Sequence, residues 1–373
     1  MGKKIFFYVL FFIFLGIVQT VWADPGDLAL EFEQYMEILG IDEIEQALTY
    51  DTGISFRDLL NSTIMGELDL SPQSILNQLM RSFFSEIYSN SALMRHLLVI
   101  SILSALLKNL TESFKNKGVG ELGFYACYIV LIIALVSAFG SAVSITQGLI
   151  STLSNLMLAS IPLLVGLLFM SGEPASSYIL HPVMMFGVSF IALFVNYFLA
   201  PFIIMTCSVE IINYITEKEM LGKFCGLLRK GCMWLLGGVS FLFLTILSLQ
   251  KISSPILNRL AIRTARAGIG AIPVVGDIMR GATDIVLYWA QAAKSSTLVA
   301  LIIAIFAICL IPVMKLLALI VIFKFTAAVT QPVCDPRIVK CINTIGNYCS
   351  LLLGCCVTVI VMFILMAVVL LSF

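Results

Sequence analysis

The chain has 373 residues with 22 acidic side chains, 22 basic ones and only two histidines. His96 and His181 are isolated, with no H-E-x-x-H spacing to put paired imidazoles on one helical face for a zinc ion. His181 precedes Pro182 at the entrance to an apolar run, a position suited to a water-facing cap. No G-x-x-x-x-G-K-[ST] loop is present to cradle a nucleotide phosphate, so no motor chemistry is encoded in this chain. Gly276-Asp277 has the form used by intramembrane aspartyl chemistry, but such chemistry needs a second carboxylate at matching depth. Asp284, seven residues on, lies one helical face away at best. No catalytic, cofactor-binding or metal-binding set is therefore expected.

The ten cysteines, at 127, 207, 225, 232, 309, 334, 341, 349, 355 and 356, contain no C-x-x-C pair and lie mostly in or beside apolar runs. They read as small buried hydrophobes. Glu210 and Lys315 (three residues after Pro312) stand within apolar runs, and Lys324 follows nine residues after Lys315. A charge facing lipid costs about 2.5–3.5 kcal/mol or more, so Glu210 is expected to face a bundle interior or an aqueous path. Lys324 is expected to snorkel to an interface, and for Lys315 both readings stay open. The segment Ala267-Gly-Ile-Gly-Ala-Ile-Pro273-Val-Val-Gly276-Asp277 is apolar yet rich in glycine and proline, which predicts broken helix over about 265–290. It is either irregular backbone lining a cavity or a loop between two amphipathic helices. Pro273, Gly276, Asp277, Asp284, Lys294, Pro312 and Lys315 are the candidate structural or gate residues.

The elements that must position these residues follow from composition. Hydrophobic residues make up 60% of the chain and charged ones 12%, against roughly 45–50% and 25% in soluble domains, and mean hydropathy is +1.05. A soluble fold cannot hide that much apolar surface. The expected class is an all-α polytopic helical membrane protein with a cleavable signal peptide and a small helical N-terminal ectodomain. Lys3 and Lys4, the apolar run Ile5–Val18 and Val21-Trp22-Ala23 predict a signal over 1–23. Residues 24–90 hold 13 acidic and two basic residues, a net charge of −11. Their apolar residues recur at helical spacing, as in Leu28, Phe32, Tyr35 and Leu39, and again in Ile75, Leu79, Phe83 and Ile87. This acidic helical domain is expected outside the cytoplasm. With the excess acid gathered there, the rest of the chain offers no basic nucleic-acid-binding domain outside the membrane.

Residues 91–373 are expected to form the transmembrane domain. Apolar runs near 92–110, 122–144, 149–170, 179–200, 233–249, 296–323 and 349–372 predict seven spans, and a hairpin completed by 201–215 after Pro201 predicts an eighth. Lys108, Lys115 and Lys117 form one positive loop and Lys218, Lys223, Arg229 and Lys230 another. Placing both in the cytoplasm requires an even number of crossings between them. Segment 250–294, with six basic and two acidic residues, breaks this pattern.

Ile272-Pro273-Val274-Val275-Gly276, Thr283-Asp284, Lys294 and Cys309-Leu-Ile-Pro312-Val-Met-Lys315 together resemble the stage III sporulation protein AE family, most closely over about 265–320. The resemblance implies a signal sequence, an extracytoplasmic segment and a polytopic region with an IPVVG-type stretch. It also implies a channel or secretion-like complex joining mother cell and forespore, with the chain in the mother-cell membrane that becomes the outer forespore membrane. Its implied partners are a cytoplasmic secretion-type ATPase, ring-forming single-span proteins and a forespore-side protein, besides membrane lipid. A self-standing small-solute permease is the alternative, motivated by Glu210, Lys315 and the Gly/Pro segment. A membrane hydrolase is a third reading, lacking a paired acid and base.

Overall fold

A computed structural model describes the backbone of residues 72–113, 117–171, 174–215, 221–269 and 275–371, with side chains described outside 72–79, 110–121, 249–295 and a few flanking positions. The expected signal at 1–23, the acidic segment through residue 71, and Pro273 lie outside the described residues. Every regular element described is helical: α1 Pro72–Ser89, α2 Ser91–Ser113, α3 Lys117–Met170, α4 Pro174–Leu193, a π-helical turn Phe194–Leu199, α5 Ala200–Asn213, α6 Gly222–Ile269, α7 Val275–Thr330 and α8 Pro336–Leu371.

Among the described residues, six helical stretches are long and apolar enough to cross a membrane: Ser91–Asn109, Leu122–Met170, Leu180–Asn213, Gly222–Ser248, Ser296–Thr330 and Pro336–Val369. The seven or eight runs read from sequence merge into these six for local physical reasons. Between 122–144 and 149–170, Gln147-Gly148 is polar but offers no helix stop, so α3 continues through it. Between 179–200 and 201–215, Pro201 produces no hairpin. In a regular helix its ring would clash with the carbonyl four residues back. The preceding π turn, in which the Ala200 N–H donates to the Val195 carbonyl, widens the backbone there, and the helix runs on with the proline in the first turn of α5.

The irregular backbone expected over 265–290 is likewise narrower than predicted. Residues 265–269 end α6 and 275–290 begin α7, so no more than the five residues 270–274, outside the described ones, separate the two helices. Isolated glycines cost a helix only about 1 kcal/mol each, and the intervening alanine, isoleucine and methionine residues favour it.

The core lies where α3, α7 and α8 meet, with α7 on α8 the most extensive helix contact. Tyr128, Leu131, Phe323, Tyr348 and Phe363 are among its fully buried large side chains. Gly346 lets α8 approach α7 closely: a Cβ there would lie 3.3 Å from both Phe323 Cβ and Lys324 Cε. Gly346→Leu is therefore expected to lower stability by about 1–3 kcal/mol through overpacking. Thermal unfolding in detergent should show that loss, with Gly346→Ala clearly less affected. Serine and threonine hydroxyls along the spans, such as Thr146, Ser160, Ser240 and Thr358, donate to the carbonyl four residues back, which satisfies them without a partner helix.

Cross-helix bonds show which helix ends share a face. Lys108, near the end of α2, pairs with Asp335 at the start of α8. Tyr128 in the first part of α3 meets Cys341 in α8. Tyr214, just after α5, meets Thr344 in α8. Asn213 accepts from the Leu221 N–H at the start of α6. One face, here the near face, thus gathers the connections after α2, α5 and α7. The opposite, far face carries the start of α2, the α3–α4 connection and the continuations of α6 and α7 beyond Ser248 and before Ser296. Two continuous helical stretches, Leu122–Met170 and Leu180–Asn213, separate the two positive loops, so an even count needs no extra crossing by 201–215.

Candidate functional site

A carboxylate at 210 inside an apolar helix must find a cation and donors, and the fold supplies both. Glu210 stands in the last turn of α5 and its side chain is 8% exposed. Arg229 of α6 donates to Glu210 Oε1 in an ion pair, and the Tyr214 hydroxyl donates to the same oxygen at 3.1 Å. The fully buried Tyr348 of α8 donates its hydroxyl to Glu210 Oε2 at 2.7 Å. The Arg229 guanidinium also lies over the Tyr348 ring, 5.1 Å from its centroid, and Phe139 of α3 packs edge-on against that ring at 6.2 Å. Thr344 completes the network by donating to the Tyr214 hydroxyl at 3.3 Å. Both carboxylate oxygens are thus engaged, and α5, α6 and α8 are tied at one level of the bundle.

Glu210 faces the bundle interior, as its place in an apolar run predicts. Arg229 corrects the sequence reading, which grouped it with Lys218, Lys223 and Lys230 as a positive loop. α6 begins at Gly222, so Arg229 is already two turns inside the helix and pointed at α5. Tyr348 and Thr344 were not singled out by sequence, because a tyrosine or threonine in an apolar run reads as ordinary packing.

A second polar bridge joins α7 to α8. Lys324 Nζ donates to Asn343 Oδ1 at 2.8 Å and also to Asn347 Oδ1. Its ammonium is held by a neighbouring helix, about one and a half turns from the near-face end of α7. The Asn343/Asn347 spacing of four was the available signal, since it puts both amides on one side of α8.

At the near face, Asp335 caps α8, accepting from the Arg337 N–H at 2.8 Å and from Lys108 Nζ at 2.8 Å. Burial would raise the Asp335 carboxyl, but the Lys108 and Arg337 hydrogen bonds and the two positive charges outweigh it and hold the group below its ordinary value. A depressed carboxyl contributes stability that is present above the ordinary carboxylate range and lost as pH falls through the folded value. Asp335→Asn is therefore expected to cost about 1–2 kcal/mol at neutral pH. The gap to the wild-type chain should stay constant from pH 8 to 5 and close below about pH 4, which unfolding midpoints across that series would check.

Of the candidate gate residues, Gly276, Asp277, Asp284 and Lys294 lie on the α7 backbone, with their side chains outside those described. Pro312 is inside α7 and half-buried, where its missing N–H leaves the Ile308 carbonyl without its helical donor. Lys315 is half-buried one turn further on and makes no ion pair among the described residues. The structure does not bring Lys315 to Glu210: the partner of Glu210 is Arg229. Nine of the ten cysteines are buried and Cys127 is half-buried, in keeping with the packing role expected of them.

Comparison with known proteins matches the sequence to a family. The family model described as stage III sporulation protein AE matches residues 54–373. A Bacillus subtilis (strain 168) protein, stage III sporulation protein AE, is 29% identical over 285 residues, which is 76% of this chain and 71% of that protein. No solved structure matches.

Proposed function

The chain belongs to the stage III sporulation protein AE family, and we propose that it is a non-enzymatic, multi-pass component of the sporulation-specific complex joining mother cell and forespore. The family match over 54–373 carries this reading. The interior chemistry supports it: Glu210, the one carboxylate buried in the described spans, has both oxygens engaged by Arg229, Tyr214 and Tyr348. Such a network sets helix positions, whereas an acid or base needs an oxygen open to a substrate. Its place would be the mother-cell membrane that becomes the outer forespore membrane. The near face, with Lys108, Lys223, Lys230, Arg337 and Lys340 at or beside it, would be cytoplasmic, and the acidic N-terminal segment would enter the intermembrane space. A cytoplasmic secretion-type ATPase, ring-forming single-span proteins and a forespore-side protein are its expected partners.

Affinity purification from detergent-solubilised membranes of sporulating cells tests this assignment. The other stage III complex proteins should co-purify. A chain that purifies alone and moves small solutes across liposomes, with flux abolished by Lys315→Ala, would establish the permease instead.

A further inference from the structure

We propose that two copies of the chain associate in the membrane through one side of α3, along Ser137, Ser141, Ser144, Gly148, Ser151 and Asn155. All six are exposed, and they fill the middle of the apolar stretch Leu122–Met170. Their spacing alternates four and three residues, a heptad seam that keeps them on one side of the helix. Towards the near face, the exposed Val130 and Ile133 continue the same side as an apolar margin. Lipid tails offer no hydrogen bond, so an exposed amide at this depth is as short of water as a buried one. Among the described residues, Ser137, Ser144 and Asn155 have no side-chain hydrogen-bond partner. Ser141 turns back on its own helix, donating to the Ser137 carbonyl at 3.4 Å. One flank of the seam is closed by the same chain. Asn196 of the π turn donates its amide to Ser151 Oγ at 3.1 Å, and Gln147 donates to the Asn196 carbonyl at 3.2 Å. The next N–H in that register would be that of Pro201, which has none, so Gln147 supplies the missing donor. The π turn thus closes this flank of α3 and leaves the seam itself open.

A second copy is the occupant that fits. Copies inserted in the same way share one orientation in the bilayer, so a two-fold axis along the membrane normal sets each seam residue opposite its counterpart. A seam that meets itself must be self-complementary. Hydroxyls and amides qualify, because each both donates and accepts, and Asn155 of one copy can pair with Asn155 of the other. No charged residue occurs between Leu122 and Met170 to repel its own image. Gly148, and Gly140 beside the seam, have nothing within 4 Å of where a Cβ would stand, which lets the two backbones approach closely. A heptad seam of this kind packs two helices in parallel, crossing at about +20°.

The test places single cysteines in the full-length chain carrying Cys127→Ala, the other nine native thiols being buried. The protein is reconstituted in liposomes at a low protein-to-lipid ratio and oxidised with copper phenanthroline. Ser137→Cys and Ser144→Cys, one heptad apart, should form disulfide-linked dimers. Val136→Cys, exposed on another side of α3, and Phe241→Cys, exposed on α6, should stay monomeric. Adding Gly148→Ile to Ser144→Cys should cut dimer formation about tenfold, the effect of one lost contact between spans. It should leave the unfolding midpoint unchanged, because the new side chain meets nothing within a single copy. Asn155→Leu should cut dimer formation similarly by removing the amide pair. Dimer yields at 137 and 144 no higher than at 136 and 241, or indifferent to Gly148→Ile, would overturn the proposal. So would rapid reaction of Ser144→Cys with an impermeant charged maleimide in intact membranes, which would make the seam the wall of a water-filled path. A disulfide from Ser144→Cys to a different protein in membranes of sporulating cells, in place of the self-dimer, would assign the seam to that protein and likewise overturn it.

Discussion

Arg229→Leu is expected to destabilise the protein by about 3–5 kcal/mol, because it leaves the Glu210 carboxylate buried without its cation. Glu210→Leu alone should do comparable damage from the other side, stranding the guanidinium against the Tyr348 ring. The double substitution Glu210→Leu/Arg229→Leu should recover much of the loss, since a buried pair replaced by apolar side chains of similar volume is often neutral. Unfolding midpoints of the four proteins in one detergent give the coupling energy directly. Additive losses would show that the two residues act independently and that α5 and α6 are held by something other than this ion pair. Glu210→Gln should fall between, keeping acceptance from the tyrosines while discarding the charge.

Tyr348→Ala is expected to cost about 3–5 kcal/mol, the usual range for emptying a large aromatic site. The ring is fully buried, packs edge-on against Phe139 and lies under the Arg229 guanidinium, while its hydroxyl donates to Glu210 at 2.7 Å. Tyr348→Phe separates these contributions. It keeps the ring and removes only the donor, so it should cost about 1.5–3 kcal/mol, the range for a hydrogen bond to a charged group. In Tyr348→Phe made on Glu210→Leu/Arg229→Leu that cost should largely vanish, because the acceptor has gone. A full cost persisting there would mean that the hydroxyl serves another partner.

The helical class and the membrane location were legible because composition and apolar run length are direct physical constraints on a bilayer protein. Glu210 was legible as interior for the same reason, as a charge in an apolar run must turn inward. Its partner was not. Charge counting places Arg229 with Lys223 and Lys230 at an interface, and only the start of α6 at Gly222 shows that the arginine is already inside the helix. The span count failed at Gln147-Gly148 and at Pro201, where a polar dipeptide and a proline read as breaks. Neither position must end a helix: the first keeps its backbone donors, and the second is accommodated by the π turn Phe194–Leu199. The amide partners of Lys324 were not legible because they lie on the next helix, about twenty residues on, and single-helix periodicity does not report pairings between helices. The resemblance over 265–320 proved a sound guide to family.

The central claim is that this chain acts only in sporulation, as a membrane component of the complex between mother cell and forespore. Deleting its gene in the spore-forming organism that encodes it, then counting heat-resistant spores beside vegetative growth rate, tests that claim most directly. The account predicts a loss of heat-resistant spores by orders of magnitude with arrest in late forespore development, normal vegetative growth, and restoration by the wild-type gene. Normal spore yield, or a growth defect in vegetative cells restored by the same gene, would contradict it.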